Sequence, residues 1–402
     1  MNDRKFFGYV RENGSVGIRN YVLVMSVTHA SHILTAKIGE NVNGVKAFTP
    51  EDEDGRTSGD RAVISRTLIG LGANPNVDSV LLTANSRAVS YNELGCDFIA
   101  SEIRKSGKRV EAVVVDECGG FYNAVGIGVK IARELSLDAS ARMREEADIG
   151  RLCVGVKCGL SDATSGIAGN PVVGYLGDII TGRGGTFIFS ETTEVIGAEH
   201  ILAKRCVSEA VRERFLDAVY SLEAEAKGTG EDIRTINPIP ANIEAGITTL
   251  EEKSLGAVIK AGTSPLCGVV GYGEKPAGSG LYFMDSWMSS TALFLGYAAC
   301  GCVLSIFQMG GNALPAEPPM PAVATGIVMP LMYVTGNFRT FEKAKSDIDF
   351  NAGRIISEGL GIDAAGEQLC GHVCRIASGM STKAETLSYQ DRVEMYLKGP
   401  AL

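Results

Sequence analysis

The chain is 402 residues long, so at roughly 150 residues per domain it holds two or three domains, and a single small module is excluded. Hydrophobic residues make up 45% and charged residues 21%, the balance of an ordinary globular protein, which leaves no room for long disorder. The formal net charge is −9, so the basic footprint of a nucleic-acid partner is missing and none is expected.

Glycine supplies 49 residues, about 12% of the chain against an average near 7%, which points to many tight turns and close backbone approaches, as in α/β enzymes. The 10 cysteines are scattered without a C-x-x-C pair, and no apolar signal segment follows Met1. Free thiols and a cytoplasmic location are therefore expected.

In the first third, residues 21–27 (YVLVMSV), 79–83 (SVLLT) and 111–115 (EAVVV) are short β-branched apolar runs of the kind buried on both faces of a parallel sheet. Helical periodicity fills residues 30–41, 62–72 and 93–106. This order predicts an α/β fold with an open, mostly parallel sheet of the Rossmann or flavodoxin kind. A helix over 125–136 and a charged stretch over 138–148 then separate an N-terminal α/β domain, residues 1–148, from a second α/β domain, residues 149–402. The second domain opens with a strand from Arg151 (RLCVGVKC), a glycine-rich polar loop and a helix over about 171–181. Residues 182–186 turn the chain into a strand (TFIFS) with Glu191 at its carboxyl end. Charged helices over 198–227, a helix start after Thr248, a glycine loop over 271–280 and a helical part from Ala344 complete the order.

From Ser286 to Phe338 the one charged residue is Glu317, but Gly296, Gly301, Gly310, Gly311 and Pro315, Pro318, Pro319 and Pro321 interrupt the run. Its most apolar part, residues 292–307, falls short of the roughly 20 residues a spanning helix needs. A buried core segment or a subunit contact is expected, and no membrane.

Hydroxyls, a thiol and a carboxylate gather between Lys157 and Pro171, after a strand and before a helix, at the edge where open α/β sheets bind ligands. Cys158 is there either as a soft metal ligand or as a buried bystander thiol. Glu191 follows an apolar strand directly and is the preferred acidic site residue; Glu194 and Glu199 also suit the positive end of a helix. Lys253 and Lys260 share one face if their stretch is helical, either holding a substrate carboxylate or acting as base. Composition alone favours an ordinary surface helix there. The glycines at 182–185 lie after a helix and before a strand, the reverse of a dinucleotide loop. Cys370 and Cys374 sit one helical turn apart while His372 points elsewhere, so no three-ligand site is expected. His29 and His32 follow the first strand, and His29 is the metal candidate of the two.

Residues 8–20 (GYVRENGSVGIRN), 74–77 (NPNV), 158–166 (CGLSDATSG) with Asn170 and Pro171, Gly185 to Glu191, Glu194 with 197–199, 252–256 (EKSLG) with 260–263 (KAGT), and 347–353 (DIDFNAG) form an ordered set. The set resembles the altronate and galactarate dehydratase family, which also contains the large subunit of sulfolactate sulfo-lyase. The resemblance implies lyases that take the α-proton of a small anionic hydroxy acid and expel water or sulfite from the β-carbon, leaving a 2-keto acid. It implies a divalent metal, usually Fe2+, with Mn2+ or Zn2+ as alternatives. Carried over, it marks Arg19, Asn20, Ser161, Asp162, Ser165, Asn170, Glu194, Glu199 and Thr263 for substrate. It marks Glu191, Lys253 and Lys260 for catalysis, one of the lysines being the base, and Cys158 for the metal.

The chain departs from the dehydratase pattern at Leu160, which replaces a glycine, at residues 51–59 (EDEDGRTSG), which replace a His/Gly/Cys-rich stretch, and at Met309 to Asn312, which replace Thr-Gly-Arg-Gly. Residues 66–77 (RTLIGLGANPNV) are closer to the sulfolactate branch. The resemblance begins at Gly8, without the small SAF-type domain of full-length members, which implies the large half of a split enzyme with a separate small subunit, in a homo- or hetero-oligomer. A non-catalytic hydroxy-acid-binding homologue is the alternative. A nicotinamide enzyme is disfavoured because no strand, G-x-G-x-x-G and helix follow one another.

Overall fold

The computed structural model describes residues 4–50, 56–311, 326–387 and 393–399. Glu51 to Gly55, Asn312, Glu317 and the prolines at 315, 318, 319 and 321 lie outside the described residues.

β1 (Lys5–Val10) and β2 (Val16–Gly17) form an antiparallel ribbon. β3 (Tyr21–Ser26), β4 (Val45–Phe48), β5 (Val77–Ala84) and β6 (Arg109–Val114) make a parallel sheet in the order β4-β3-β5-β6. These strands are apolar on both faces because both are covered. Leu34 and Ile38 of helix His32–Glu40 and Ala124 and Ala132 of helix Phe121–Ser140 pack on one face. Ile64 and Leu68 of helix Ser58–Ala73 and Ile99 and Ile103 of helix Cys96–Arg104 pack on the other.

The expected charged spacer over 138–148 needs correcting at its end, because β7 (Glu145–Asp148) is a strand paired antiparallel with β1. The larger sheet holds β8 (Cys153–Gly159), β9 (Thr186–Phe189), β10 (Leu266–Val270), β11 (Gly280–Met284), β12 (Leu304–Met309), β13 (Leu331–Thr335) and β14 (Phe350–Asn351). All seven strands run parallel, in the order β10-β11-β9-β8-β12-β13-β14. From β8 the chain winds to one side through β9 and later returns on the other side at β12. The crevice between the carboxyl ends of β8 and β12 is therefore a topological switch point, where open α/β sheets take their ligands.

The uncharged stretch is core. Helix Ser290–Ala299 is buried along Ala292 to Ala299, and β12 and β13 are buried throughout. Leu293, Phe294 and Tyr297 share one apolar cluster with Leu23, Met25 and Leu68, so the two sheets are joined by a common core. Polar bolts reinforce it. Asn74 Nδ2 donates to the carbonyls of Ala298 and Cys302, and Asn76 Nδ2 to those of Val303 and Val328. Asn76 Oδ1 accepts from the amides of Ile18 and Arg19. No helix among the described residues is long and apolar enough to cross a membrane.

The contact between helices Ser58–Ala73 and Ser290–Ala299 requires glycine, because a Cβ on Gly70 would stand 2.3 Å from the Ala299 carbonyl oxygen. Gly70→Val is expected to destabilise the protein by about 1–3 kcal/mol through overpacking. A drop in thermal midpoint with the fold retained by circular dichroism checks it.

Candidate active site

β8 and β9 are parallel neighbours, so their carboxyl ends deliver Lys157, Cys158 and Glu191 to one place. Glu191 is fully buried and adopts a left-handed φ of 76°, a conformation costing a non-glycine residue roughly 1–3 kcal/mol. Three donors hold it there. Its Oε1 accepts from Lys157 Nζ at 2.9 Å, and its Oε2 accepts from Lys260 Nζ at 2.5 Å and from the Cys158 amide at 3.1 Å. The 3-10 turn Thr192–Glu194 then brings in Glu194, whose Oε2 accepts from the Cys158 thiol at 3.1 Å.

The lysines arrive from a helix whose start the sequence explains. Thr249 caps helix Leu250–Val258 by accepting from the Glu252 amide, and the turn Ile259–Ala261 extends it. Lys253 and Lys260 are both buried in the cluster, which overturns the surface-helix alternative. Lys253 Nζ lies 3.3 Å from Glu194 Oε1 and donates to Asn237 Oδ1 at 2.7 Å. Lys260 Nζ lies 3.1 Å from Cys158 Sγ and 3.8 Å from Glu194 Oε2.

Burial works against every charge here, and the partners decide which charges survive. Burial would raise the Glu194 carboxyl, but Lys253, Lys260 and Lys157 overcome it and hold it down at about 2. Burial, seconded by Glu191 and Glu194, pushes the Cys158 thiol up, so it is a neutral donor. Burial opposes the Lys260 ammonium, yet Cys158, Glu191 and Glu194 hold its proton more tightly than usual. Lys157 is raised against burial in the same way, chiefly by Glu191 and Glu194. Among the described residues, Cys158, Glu191 and Glu194 are the one group of three His, Cys, Asp or Glu that offers converging ligand atoms, all within 4.8 Å of one another.

A cavity of about 710 Å³ adjoins the cluster, with Ser161, Asp162, Ser165, Asn170, Lys253 and Thr263 in its wall. Asp162 accepts from the Thr164 amide and from Asn337 Nδ2, each at 2.9 Å, and Ser165 Oγ accepts from the Asp162 amide at 3.3 Å. Asn170 Nδ2 donates to the Gly256 carbonyl at 2.8 Å, while its buried Oδ1 has no partner. Leu160, where the resembling motif carries glycine, has a φ of 48°, the left-handed region that glycine enters freely.

The other expected residues fall elsewhere or are engaged. The Arg19 guanidinium is taken by Glu385, with contacts of 2.7 and 2.6 Å, and by the carbonyls of Ile18, Ile376 and Met380. Asn20 Nδ2 donates to the Ala139 carbonyl at 2.7 Å. Glu199 accepts from the nearby Gly197 amide, and Thr263 is clamped through its amide and hydroxyl by the Asp178 carboxylate. The His29 ring stacks on His32 at 4.5 Å and is not part of the converging ligand group. Among the described residues, Cys370, His372 and Cys374 form no such group.

Lys157, Asn237 and Asp178 were not singled out by sequence reasoning. For Lys157 the available signal was its place beside Cys158 at the end of a buried strand; Asn237 and Asp178 gave none.

The chain matches the family model described as D-galactarate/altronate dehydratase, C-terminal, over residues 149–399. It also matches D-galactarate dehydratase/altronate hydrolase, second domain, over residues 8–140. It is 34% identical to (2R)-sulfolactate sulfo-lyase subunit beta of Chromohalobacter salexigens, across 98% of this chain and 97% of that protein. It is 27% identical to altronate dehydratase of Bacillus subtilis, across 97% of this chain and 77% of that protein. Galactarate dehydratase (L-threo-forming) of Escherichia coli is 29% identical across 81% of this chain and 60% of its own length.

Two outcomes separate structural residues from site residues. Arg19→Met, which strands the Glu385 carboxylate in a pocket with little solvent, is expected to cost about 3 kcal/mol in denaturant unfolding without changing ligand affinity. Burial, seconded by Arg375 and Lys383, lowers His372 to about 4. Its folded value thus lies below the unfolded one near ~6.5, so its contribution is intact above that pH and lost as pH falls toward 4. His372→Gln is expected to flatten this limb of a stability–pH curve.

Proposed function

The chain belongs to the D-galactarate/altronate dehydratase family, and from that membership and the buried cluster we propose that it is a β-eliminating lyase acting on a small anionic 2-hydroxy acid. The observation that carries this reading is the buried Cys158–Glu191–Glu194 group with its three lysines, set at a switch-point crevice, with Lys253 of the cluster in the wall of the adjoining cavity. Sulfite is the leaving group we favour, because the sulfo-lyase subunit aligns along nearly its whole length while the B. subtilis dehydratase is matched over 77% of its own. In that reaction the C2 proton of (2R)-sulfolactate is removed, the C3–S bond breaks with its electron pair leaving on sulfite, and the resulting enol becomes pyruvate.

Lys253 lines the cavity, which supports it as the proton-moving residue. Lys260 and Lys157 keep their protons and act as fixed cations that orient Glu191 and attract the acid. With all three lysines and both carboxylates ionised the cluster carries a single net positive charge, which suits an anionic substrate.

A cysteine sulfur with two carboxylates would fit a borderline divalent ion such as Fe2+, Mn2+ or Zn2+, the thiol giving up its proton as the ion binds. Cys158, Glu191 and Glu194 would hold it, and when bound it would polarise the substrate carboxylate and make the α-proton more acidic. We also propose that the chain works with a separate small subunit of the SAF type. This follows from the subunit status in the relative's name and the longer dehydratases. One observation favours a second reading, a binding protein without turnover: Lys260 Nζ already engages both Cys158 and Glu191.

The test uses protein co-expressed with its small subunit, purified without oxygen, supplied with Fe2+ and given (2R)-sulfolactate. Equal release of sulfite and pyruvate is expected, with Lys253→Met lowering kcat at least ~100-fold. Cys158→Ser is expected to lower bound metal per chain. Absence of any keto acid from sulfolactate and from sugar acids would overturn the lyase reading, and ligand-induced thermal stabilisation without turnover would establish the second.

A further inference from the structure

Gln308 is the most anomalous polar residue beside the site. It is fully buried near the end of β12, and neither its Nε2 nor its Oε1 has a hydrogen-bond partner. Buried carboxamides are nearly always satisfied, so an orphan on both atoms calls for a missing partner. Its position says where that partner belongs. β12 and β8 pair in register with Gln308 opposite Cys158, and paired residues of parallel neighbours project to the same face. Gln308 and Cys158 therefore stand on the two lips of the switch-point crevice.

Space is kept for the amide. Gly169 has no side chain where a Cβ would stand 2.1 Å from Gln308 Nε2, and the next residue, Asn170, presents another buried unpartnered oxygen and lines the cavity. The lysines and carboxylates are already committed to one another, and the unused hydrogen-bonding capacity near this edge is neutral: the hydroxyls of Thr193 and Ser254, the Asn170 oxygen, and Gln308, which alone of these offers a donor atom and a separate acceptor atom, both unpartnered.

We infer that Gln308 is a substrate-binding residue that holds the hydroxy-acid end of the substrate, donating from Nε2 to a carboxylate oxygen and accepting the 2-hydroxyl proton at Oε1. The inference rests on the lyase reading. A neutral amide suits this task because it satisfies an acceptor and a donor on adjacent carbons at once, which a lysine cannot do. It also adds no charge to a centre in which three lysines already face two carboxylates. When no ligand is bound the amide is a liability to stability, and an apolar side chain of the same length removes that liability.

The experiment compares wild type with Gln308→Met, each co-purified with the small subunit, using (2R)-sulfolactate as probe. Gln308→Met is expected to raise KM about tenfold or more, with kcat changed far less. Its thermal midpoint without ligand is expected to equal or exceed wild type, and the stabilisation that sulfolactate gives wild type is expected to vanish. Gln308→Asn, which keeps the amide, is expected to fall between the two and supplies the same readings if the methionine variant does not fold. Wild-type KM and wild-type ligand stabilisation in the variants would overturn the inference and leave the lyase reading standing. A wild type that neither turns over nor is stabilised by sulfolactate or sugar acids would remove the lyase reading, and this inference with it.

Discussion

The carboxyl edge of the larger sheet depends on one buried carboxylate. Glu191 occupies a backbone conformation that disfavours side chains, and it is kept there by two ammonium groups and an amide from two separate segments, β8 and the turn Ile259–Ala261. Each donor in turn fixes something else. Lys260 ties down the turn that ends helix Leu250–Val258, and the Cys158 amide fixes the end of β8. Because the group excludes water, each hydrogen bond in it is electrostatically stronger than at a surface, and an unpaired member would be correspondingly costly.

The alternation of apolar runs with helical periods made the parallel α/β class legible, because β3, β5, β8 and β9 are buried on both faces and rich in branched residues. β12 and β13 were not separable from a buried helix, since in an uncharged run neither period stands out. Cys158, Glu191, Lys253 and Lys260 were legible as types at strand ends and on one helical face, and the fold brings them together. Arg19 and Asn20, expected at the substrate, are engaged within the fold instead, and the sequence could not show it. A polar residue buried to bond distant carbonyls looks, in sequence, the same as one waiting for a ligand. Gln308 shows the converse, because its lack of partners is visible only once its neighbours in space are known.

The site divides labour between charge and neutrality. Lysines and carboxylates set a potential and hold one another, whereas the amides of Gln308 and Asn170 and the hydroxyl of Ser165 stand beside them without net charge. Leu160 adds bulk close by, in a conformation where glycine would be at ease. On the proposed reading, charge attracts the acid and the neutral groups read its shape.

Asn76 carries a consequence of another kind. One side chain accepts from two amides of the N-terminal segment and donates to two carbonyls of the larger sheet's half. Neither sheet can open locally there without stranding buried polar groups of the other. Amide hydrogens of β3 and β12 should therefore exchange through a shared opening, and a ligand held at the crevice should slow exchange in a sheet it never touches.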